Sequence, residues 1–282
     1  MYILYDIGGT NMRLAALKDL QTFGEAVHIK TPQNFDEAMK QFSQTALKLA
    51  DGEKIFGVAG GVPGALNHDK NSLYHSPNLT GWDGKPFQKV LSHALGGAKI
   101  FMENDTDMIG LGEAAFGAGK GRNIVVYMTV STGVGGSRIV NGKIDPAFWG
   151  QEPGQQIIDP SDRLYDPGTL ENYVSGGGVE RIYGKPAYEI TDAAVWDELA
   201  KWLAYGLHNS IVHWSPEIII LGGSMMTKQP GISLDAVRGH LRKIMKIFPE
   251  LPELTLVGLG DEGGFYGSMQ YLQVKRDAGE IA

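Results

Sequence analysis

Asp6-Ile7-Gly8-Gly9-Thr10 carries the groups of a phosphate cradle. Two glycines let the backbone approach a phosphate closely, and their N–H groups can converge on its oxygens. Thr10 adds a hydroxyl. Asp6, at a strand end, could orient water around a magnesium ion. A second run, Ser131-Thr132-Gly133-Val134-Gly135-Gly136, offers the same chemistry. Either run alone is also what a plain hairpin turn looks like. As a pair they read as two backbone nests after equivalent strands, able to grip a polyphosphate from two sides.

Asn104-Asp105 ends an apolar strand pattern and opens a helical one. An acidic residue there commonly caps the helix. It can equally take the proton from an attacking hydroxyl. Phosphoryl transfer needs positioning, charge stabilisation and one such base. The helix dipole would keep Asp105 ionised.

Three other patterns carry less. Gly258–Gly263 matches G-x-G-x-x-G, but a dinucleotide site needs a βαβ unit and an acidic residue about 20 further on. Gly119-Lys120 is followed by Gly121 where a Walker loop needs Ser or Thr. The histidines are scattered, and the spacing of His208 and His213 does not suit a helical zinc pair.

The elements that must hold these residues alternate. Strands are expected at 2–5, 12–17, 54–59, 98–102, 122–130, 137–140, 217–221 and 253–257. Helices are expected after the Asn34 cap and at 85–94, 104–116, 169–175, 192–214, 234–247 and 262–273. Residues 151–166 read as irregular. Strand, glycine-rich hairpin, strand occurs near residue 6 and again near residue 131. That repeat favours two similar α/β lobes facing a cleft. The expected division is a smaller lobe over 1–110, on which the C-terminal helix packs back, and a larger lobe over 111–282.

Bulk properties narrow the function. At 282 residues, roughly 75% of the unfolded surface can be buried without a metal or disulfide staple. Gly is high, 39 residues, roughly double the ordinary share of ~7%. Net charge is −7 with no basic stripe, which argues against nucleic acid. There is no cysteine, so disulfides and thiolate metal sites are excluded. No apolar run approaches the ~20 residues of a membrane span, and no signal peptide precedes the first strand. A cytoplasmic protein is expected.

In order along the chain, Asp6–Thr10, Gly61-Val-Pro-Gly64, Asn78-Leu-Thr-Gly-Trp82, Glu103-Asn-Asp105, Ser131–Gly136, Gly222-Gly223-Ser224 and Gly260–Gly267 resemble the ROK family. That family holds bacterial sugar kinases, open-reading-frame proteins and sugar-responsive repressors. The resemblance spans nearly the whole chain. It implies the two-lobed, actin-like (ribonuclease-H-like) ATPase fold and an ATP-dependent, glucokinase-type hexokinase using Mg2+. Asp105 would be the catalytic base on the sugar 6-hydroxyl. Asn78, Asn104 and backbone near Gly64 would bind sugar. Gly8, Gly9, Thr10, Asn11 and Arg13 would lie at the ATP phosphates, Thr132 and Gly133 would form the second phosphate loop, and Gly222 and Gly223 would lie against the adenosine.

One segment departs from the family. Its pattern Glu-x-Gly-His, followed by a cysteine-rich zinc knuckle ending in Gly-Cys-x-Glu, here reads Glu152-Pro-Gly-Gln155 and then Gly168-Thr-Leu-Glu171. The expectation is therefore no structural zinc, with Glu152, Gln155 and Glu171 as sugar contacts. Two alternatives follow from the family. One is a polyphosphate-dependent glucokinase, which would want a basic channel. The other is a non-catalytic sugar-binding regulator, which would want a helix-turn-helix before Tyr2. The family often forms homodimers, so the resemblance also allows a homodimer.

Overall fold

The computed structural model describes residues 1–162 and 167–282. Part of the segment expected to be irregular, residues 163–166, lies outside the described residues. The chain forms two compact units. The first takes Met1–Phe116, Pro146–Gly150 and Leu259–Ala282, and the second takes Gly117–Asp145 and Gln151–Gly258.

The first unit opens with β1 (Tyr2–Ile7), β2 (Asn11–Leu17) and β3 (Val27–Lys30), then α1 (Phe35–Ala50). Next come β4 (Gly57–Val62), a small hairpin of β5 (Ala65–Leu66) and β6 (Leu73–His75), and α2 (Phe87–Ala94). Strand β7 (Lys99–Asn104) leads directly into α3 (Asp105–Ala115). Among the described residues the main sheet runs β3-β2-β1-β4-β7, with β1, β4 and β7 parallel. Strand β1 is apolar on both faces because both are covered. Ile3, Tyr5 and Ile7 join the core under α1 and α2, while Tyr2 and Leu4 join Phe265, Met269 and Leu272.

The second unit repeats this order. It has β8 (Ile124–Val130), β9 (Val134–Val140) and β10 (Lys143–Ile144), then α4 (Leu170–Val174), α5 (Gly176–Tyr183) and α6 (Ala193–Trp214). These are followed by β11 (Ile218–Gly222), α7 (Ser224–Thr227), α8 (Leu234–Ile244) and β12 (Glu253–Leu256). The sheet runs β10-β9-β8-β11-β12, again with an antiparallel hairpin flank and a parallel remainder. Val126, Met128, Ile219 and Leu221 pack on Leu170, Tyr173 and the apolar face of α6. The last helix, α9 (Gly263–Asp277), belongs to the first unit.

Local signals explain most boundaries. The Asn34 side chain accepts from the Glu37 amide at 3.0 Å, which starts α1. Thr169, Ser175, Asp192 and Ser233 cap α4, α5, α6 and α8 in the same way. Helix α2 begins after Pro86 rather than at Lys85, and α8 stops at Ile244 because Met245 turns extended. Helix α9 runs on to Asp277, with Lys275 and Arg276 in a last turn whose carbonyls favour positive charge. Among the described residues, β3, the β5–β6 hairpin, β10, α5 and α7 have no counterpart in the sequence reading.

Candidate active site

In the first unit, the candidate residues gather at the C-terminal ends of the parallel strands. The β1–β2 ladder closes at Ile7↔Met12, and the Gly8 amide donates to Asn11 O at 2.8 Å. A Cβ on Gly9 would lie 2.7 Å from the Asn78 Cβ, so glycine is what lets Asn78 approach the turn. Thr31 Oγ1 donates to Gly8 O at 2.8 Å and Gln33 Nε2 to Gly9 O at 3.1 Å. The carbonyls of the turn are thereby held from one side. Thr10, Asn11 and Asn78 are exposed.

Asp6 stands beside Gly61 in the β1–β4 ladder, and Gly61 stands beside Glu103 in the β4–β7 ladder. A Cβ on Gly61 would fall 2.7 Å from the Asp105 Cα. Gly61 is thus the gap through which α3 begins. Asn104 is the N-cap: its Oδ1 accepts from the Thr106 amide at 2.8 Å and from Thr106 Oγ1 at 2.6 Å. Its Nδ2 donates to Gly64 O at 3.0 Å. Gly64 has φ 107°, and a Cβ there would meet His75 O at 2.4 Å, so only glycine fits. Asp105 follows the cap in the first turn and is half-buried.

Arg13, expected near the phosphates, is tied to the strand that leads into the glycine turn. It sits opposite Asp6 in the β1–β2 register and forms an ion pair with Asp6 Oδ2. Its Nη2 also donates to Asp261 O at 2.8 Å, and its guanidinium lies 5.2 Å from the centre of the Phe265 ring. A charge opposed directly across a ladder is the nearest partner available, so Asp6 takes the guanidinium.

In the second unit, the candidates converge on the β8–β9 turn. Ser131 N donates to Gly133 O at 2.8 Å, closing a tight turn between Val130 and Val134. A Cβ on Gly133 would lie 2.7 Å from Glu171 Oε2, and that oxygen accepts from Val134 N at 2.8 Å. Gln155 Nε2 donates to the other Glu171 oxygen at 3.2 Å. Thr132 is exposed. Gly222 and Gly223 reach the same place. Gly223 has φ 85°, and its Cβ would sit 2.3 Å from Val130 O.

Glu152 has solvent on one side and protein around the rest. That surrounding protein, and then the Glu171 carboxylate, raise its carboxyl above the ordinary carboxylate range. Residues missed by sequence reasoning also belong to this corner. Gly176 N and Gly177 N, at the start of α5, donate to Ser131 O at 2.7 Å and Thr132 O at 3.2 Å, and Ser131 Oγ meets Ser224 Oγ at 3.2 Å. The only signal for Gly176 and Gly177 was the Ser175-Gly-Gly-Gly178 run, which looks like a turn.

The ROK family model matches residues 2–275. The chain belongs to the ROK family. It is 27% identical to a glucokinase of Thermotoga maritima, over 95% of this chain and 96% of that protein. It is 27% identical to an N-acetyl-D-glucosamine kinase of Histophilus somni, over 95% of this chain and 97% of that one. The crystal structure of a ROK family glucokinase from Streptomyces griseus, in complex with glucose and AMPPNP, superposes with a TM-score of 0.75 at 23% identity, covering 96% of this chain and 98% of that one. The duplicated α/β units are therefore the actin-like ATPase fold of the ROK family. Among the described residues no group of three or more His, Asp or Glu side chains stands ready to hold a metal ion. No helix there is long and apolar enough to cross a membrane.

Proposed function

We propose that this ROK protein is an ATP-dependent kinase that phosphorylates a hexose at the 6-hydroxyl, with Asp105 as general base. The observation that carries this reading is the placement of Asp105. It follows the Asn104 cap at the start of α3, lies against Gly61, and shares the strand ends with the Asp6–Thr10 turn. A half-buried carboxylate beside the partial positive charge of a helix start is suited to remain ionised and accept a hydroxyl proton.

The roles divide by unit. In the first, Asn78, Asn104 and the Gly64 backbone bind sugar hydroxyls, and Gly8, Gly9, Thr10 and Asn11 bind ATP phosphates. In the second, Thr132 and Gly133 bind phosphate, Gly222 and Gly223 lie against adenosine, and Glu152, Gln155 and Glu171 contact sugar. Arg13, held by Asp6, lies near the ATP phosphates. One Asp6 oxygen is taken by Arg13. The other accepts from no described residue, so Asp6 can still reach a hydrated magnesium ion through water. Bound Mg2+ would neutralise charge on the transferred phosphoryl group.

A hexose is the proposed substrate because the named relatives include a glucokinase and an N-acetyl-D-glucosamine kinase, and a site of many polar groups would discriminate among such sugars. ATP is the proposed donor: the Streptomyces griseus glucokinase binds AMPPNP, and a net charge of −7 argues against a basic polyphosphate channel. Both substrates belong to the cytoplasm, which we infer as the compartment. The test is a coupled assay offering ATP or polyphosphate with glucose, mannose, fructose, allose and N-acetylglucosamine. Sugar-dependent ADP release is expected with at least one of them. Turnover at background with every sugar would sink the reading.

A further inference from the structure

Among the described residues strand β7 is the edge of its sheet, and the β5–β6 hairpin lies against it. Successive residues of a strand face opposite ways. Met102 lies in the core under α1 and α2, together with Leu66 and Leu73 of the hairpin. On the other face, Phe101 packs against Tyr271 of α9. Glu103 shares that face and is 2% exposed. A carboxylate buried so deeply must be paired. Tyr271 OH donates to its Oε1 at 2.8 Å, and Lys70 Nζ, from the hairpin tip, meets its Oε2 at 2.5 Å. Burial and the neighbouring Glu103 charge raise the Tyr271 hydroxyl above its ordinary range, so it stays a donor.

The tip is built to deliver that lysine. Lys70 adopts φ 49°, and Asn67 Oδ1 accepts from the Asn71 and Ser72 amides at 2.9 and 3.2 Å. Gln88 Nε2 holds Lys70 O at 2.8 Å. At the base of the same hairpin, Asn104 Nδ2 holds Gly64 O at 3.0 Å. Adjacent residues of β7 thus clamp the hairpin at both ends, Asn104 at the base and Glu103 at the tip. Gly64 and Asn78 flank this clamped segment in sequence.

We propose that Lys70 and Glu103 are the positioning pair of the sugar pocket. The pair sets the segment 64–78 against the Asn104-Asp105 corner, and neither side chain touches the reacting atoms. Its kinetic consequence rests on the sugar-kinase reading, whereas its structural consequence does not. Removing Lys70 leaves the Glu103 charge buried beside one hydroxyl, and the hairpin tip must move to let water reach it.

Two readouts test this. In Lys70→Met, the sugar KM should rise about tenfold while the ATP KM changes less than about twofold, and Lys70→Arg should restore most of the loss. Hydrogen exchange of the amides over 64–78 should accelerate at least about tenfold in Lys70→Met, with α1 amides unchanged. If Lys70→Met fails to fold, the double variant Lys70→Gln with Glu103→Gln removes both charges together and should show the same split. Equal rises in both KM values with exchange accelerated throughout the unit would overturn the proposal, as would no change in either readout. If the wild type phosphorylates no sugar, the kinase reading falls, and exchange over 64–78 alone decides for or against the clamp.

Discussion

Gln155 Nε2 donates to Glu171 Oε1 at 3.2 Å, while the other oxygen of Glu171 accepts from the buried Val134 amide at 2.8 Å. One carboxylate therefore ties the Glu152–Gln155 segment to the Ser131–Gly136 turn within the second unit. The two bonds are unequal. Val134 is 3% exposed, whereas Gln155 lies in solvent. Glu171→Ala should cost about 1–3 kcal/mol, because it orphans a buried N–H. Gln155→Ala should cost at most about 0.5 kcal/mol, since water replaces an exposed bond. Urea unfolding midpoints of the two variants measure the difference, and equal costs would mean that Glu171 does not support the turn.

The two glycine turns, the Asn104-Asp105 corner and the alternation of strands and helices were all readable in the sequence. Each announces itself locally, through apolar runs broken by glycine or through a cap. What escaped depends on distant partners. The Lys70–Glu103 pair spans 33 positions. The Asp6–Arg13 pair was within reach, because a hairpin closed at Ile7↔Met12 puts those two residues opposite each other. Helix α5 was hidden by Gly176-Gly177-Gly178, whose glycines serve close packing. A Cβ on Gly178 would lie 2.3 Å from Asn172 O.

Asp105→Asn tests the proposed base. Asn keeps the shape and can still hydrogen-bond a sugar hydroxyl, but it cannot take its proton. General-base catalysis contributes typically 10²–10⁴-fold, so kcat should fall at least ~100-fold. Sugar affinity, read by calorimetry, should stay within about threefold. Near wild-type turnover would remove Asp105 from the mechanism.

Glu152 should make stability depend on pH. Its folded-state pKa lies above the ordinary 4.5, through burial and then the Glu171 charge. An acid whose pKa is raised by folding binds its proton more tightly in the native state. Its favourable contribution is present below the unfolded pKa and is lost as pH rises through the folded one. Glu152→Gln should therefore melt above the wild type at pH 7, and the gap should shrink as pH falls toward 4. The same variant should bind sugar more weakly, as expected where function retains a destabilising charge. A constant gap across this range would show that Glu152 is not the titrating group.

Two glycine-to-alanine changes in helices should act with opposite sign. Helices α3 and α9 meet backbone to backbone. A Cβ on Gly267 would lie 1.7 Å from Met108 O, and one on Gly112 would lie 2.2 Å from Gly263 O. Alanine in a helix interior gains at most about 1 kcal/mol over glycine. Overpacking a close contact costs typically ~1–3 kcal/mol and sometimes more. Here the obstacle is backbone, which cannot swing aside, so Gly267→Ala should destabilise. Beyond its chain neighbours and its own helix backbone, Gly239 in α8 has nothing within 4 Å of the added carbon, so Gly239→Ala should gain about 0.5–1 kcal/mol. Helix α3 begins at Asp105, so forcing α3 and α9 apart displaces the proposed base as well. Gly267→Ala should therefore lower kcat more than it raises the sugar KM, whereas Gly239→Ala should leave both unchanged. Urea midpoints and steady-state kinetics on the two variants provide the comparison. Destabilisation without a kcat loss in Gly267→Ala would mean that the α3–α9 contact supports the fold but does not set the position of Asp105.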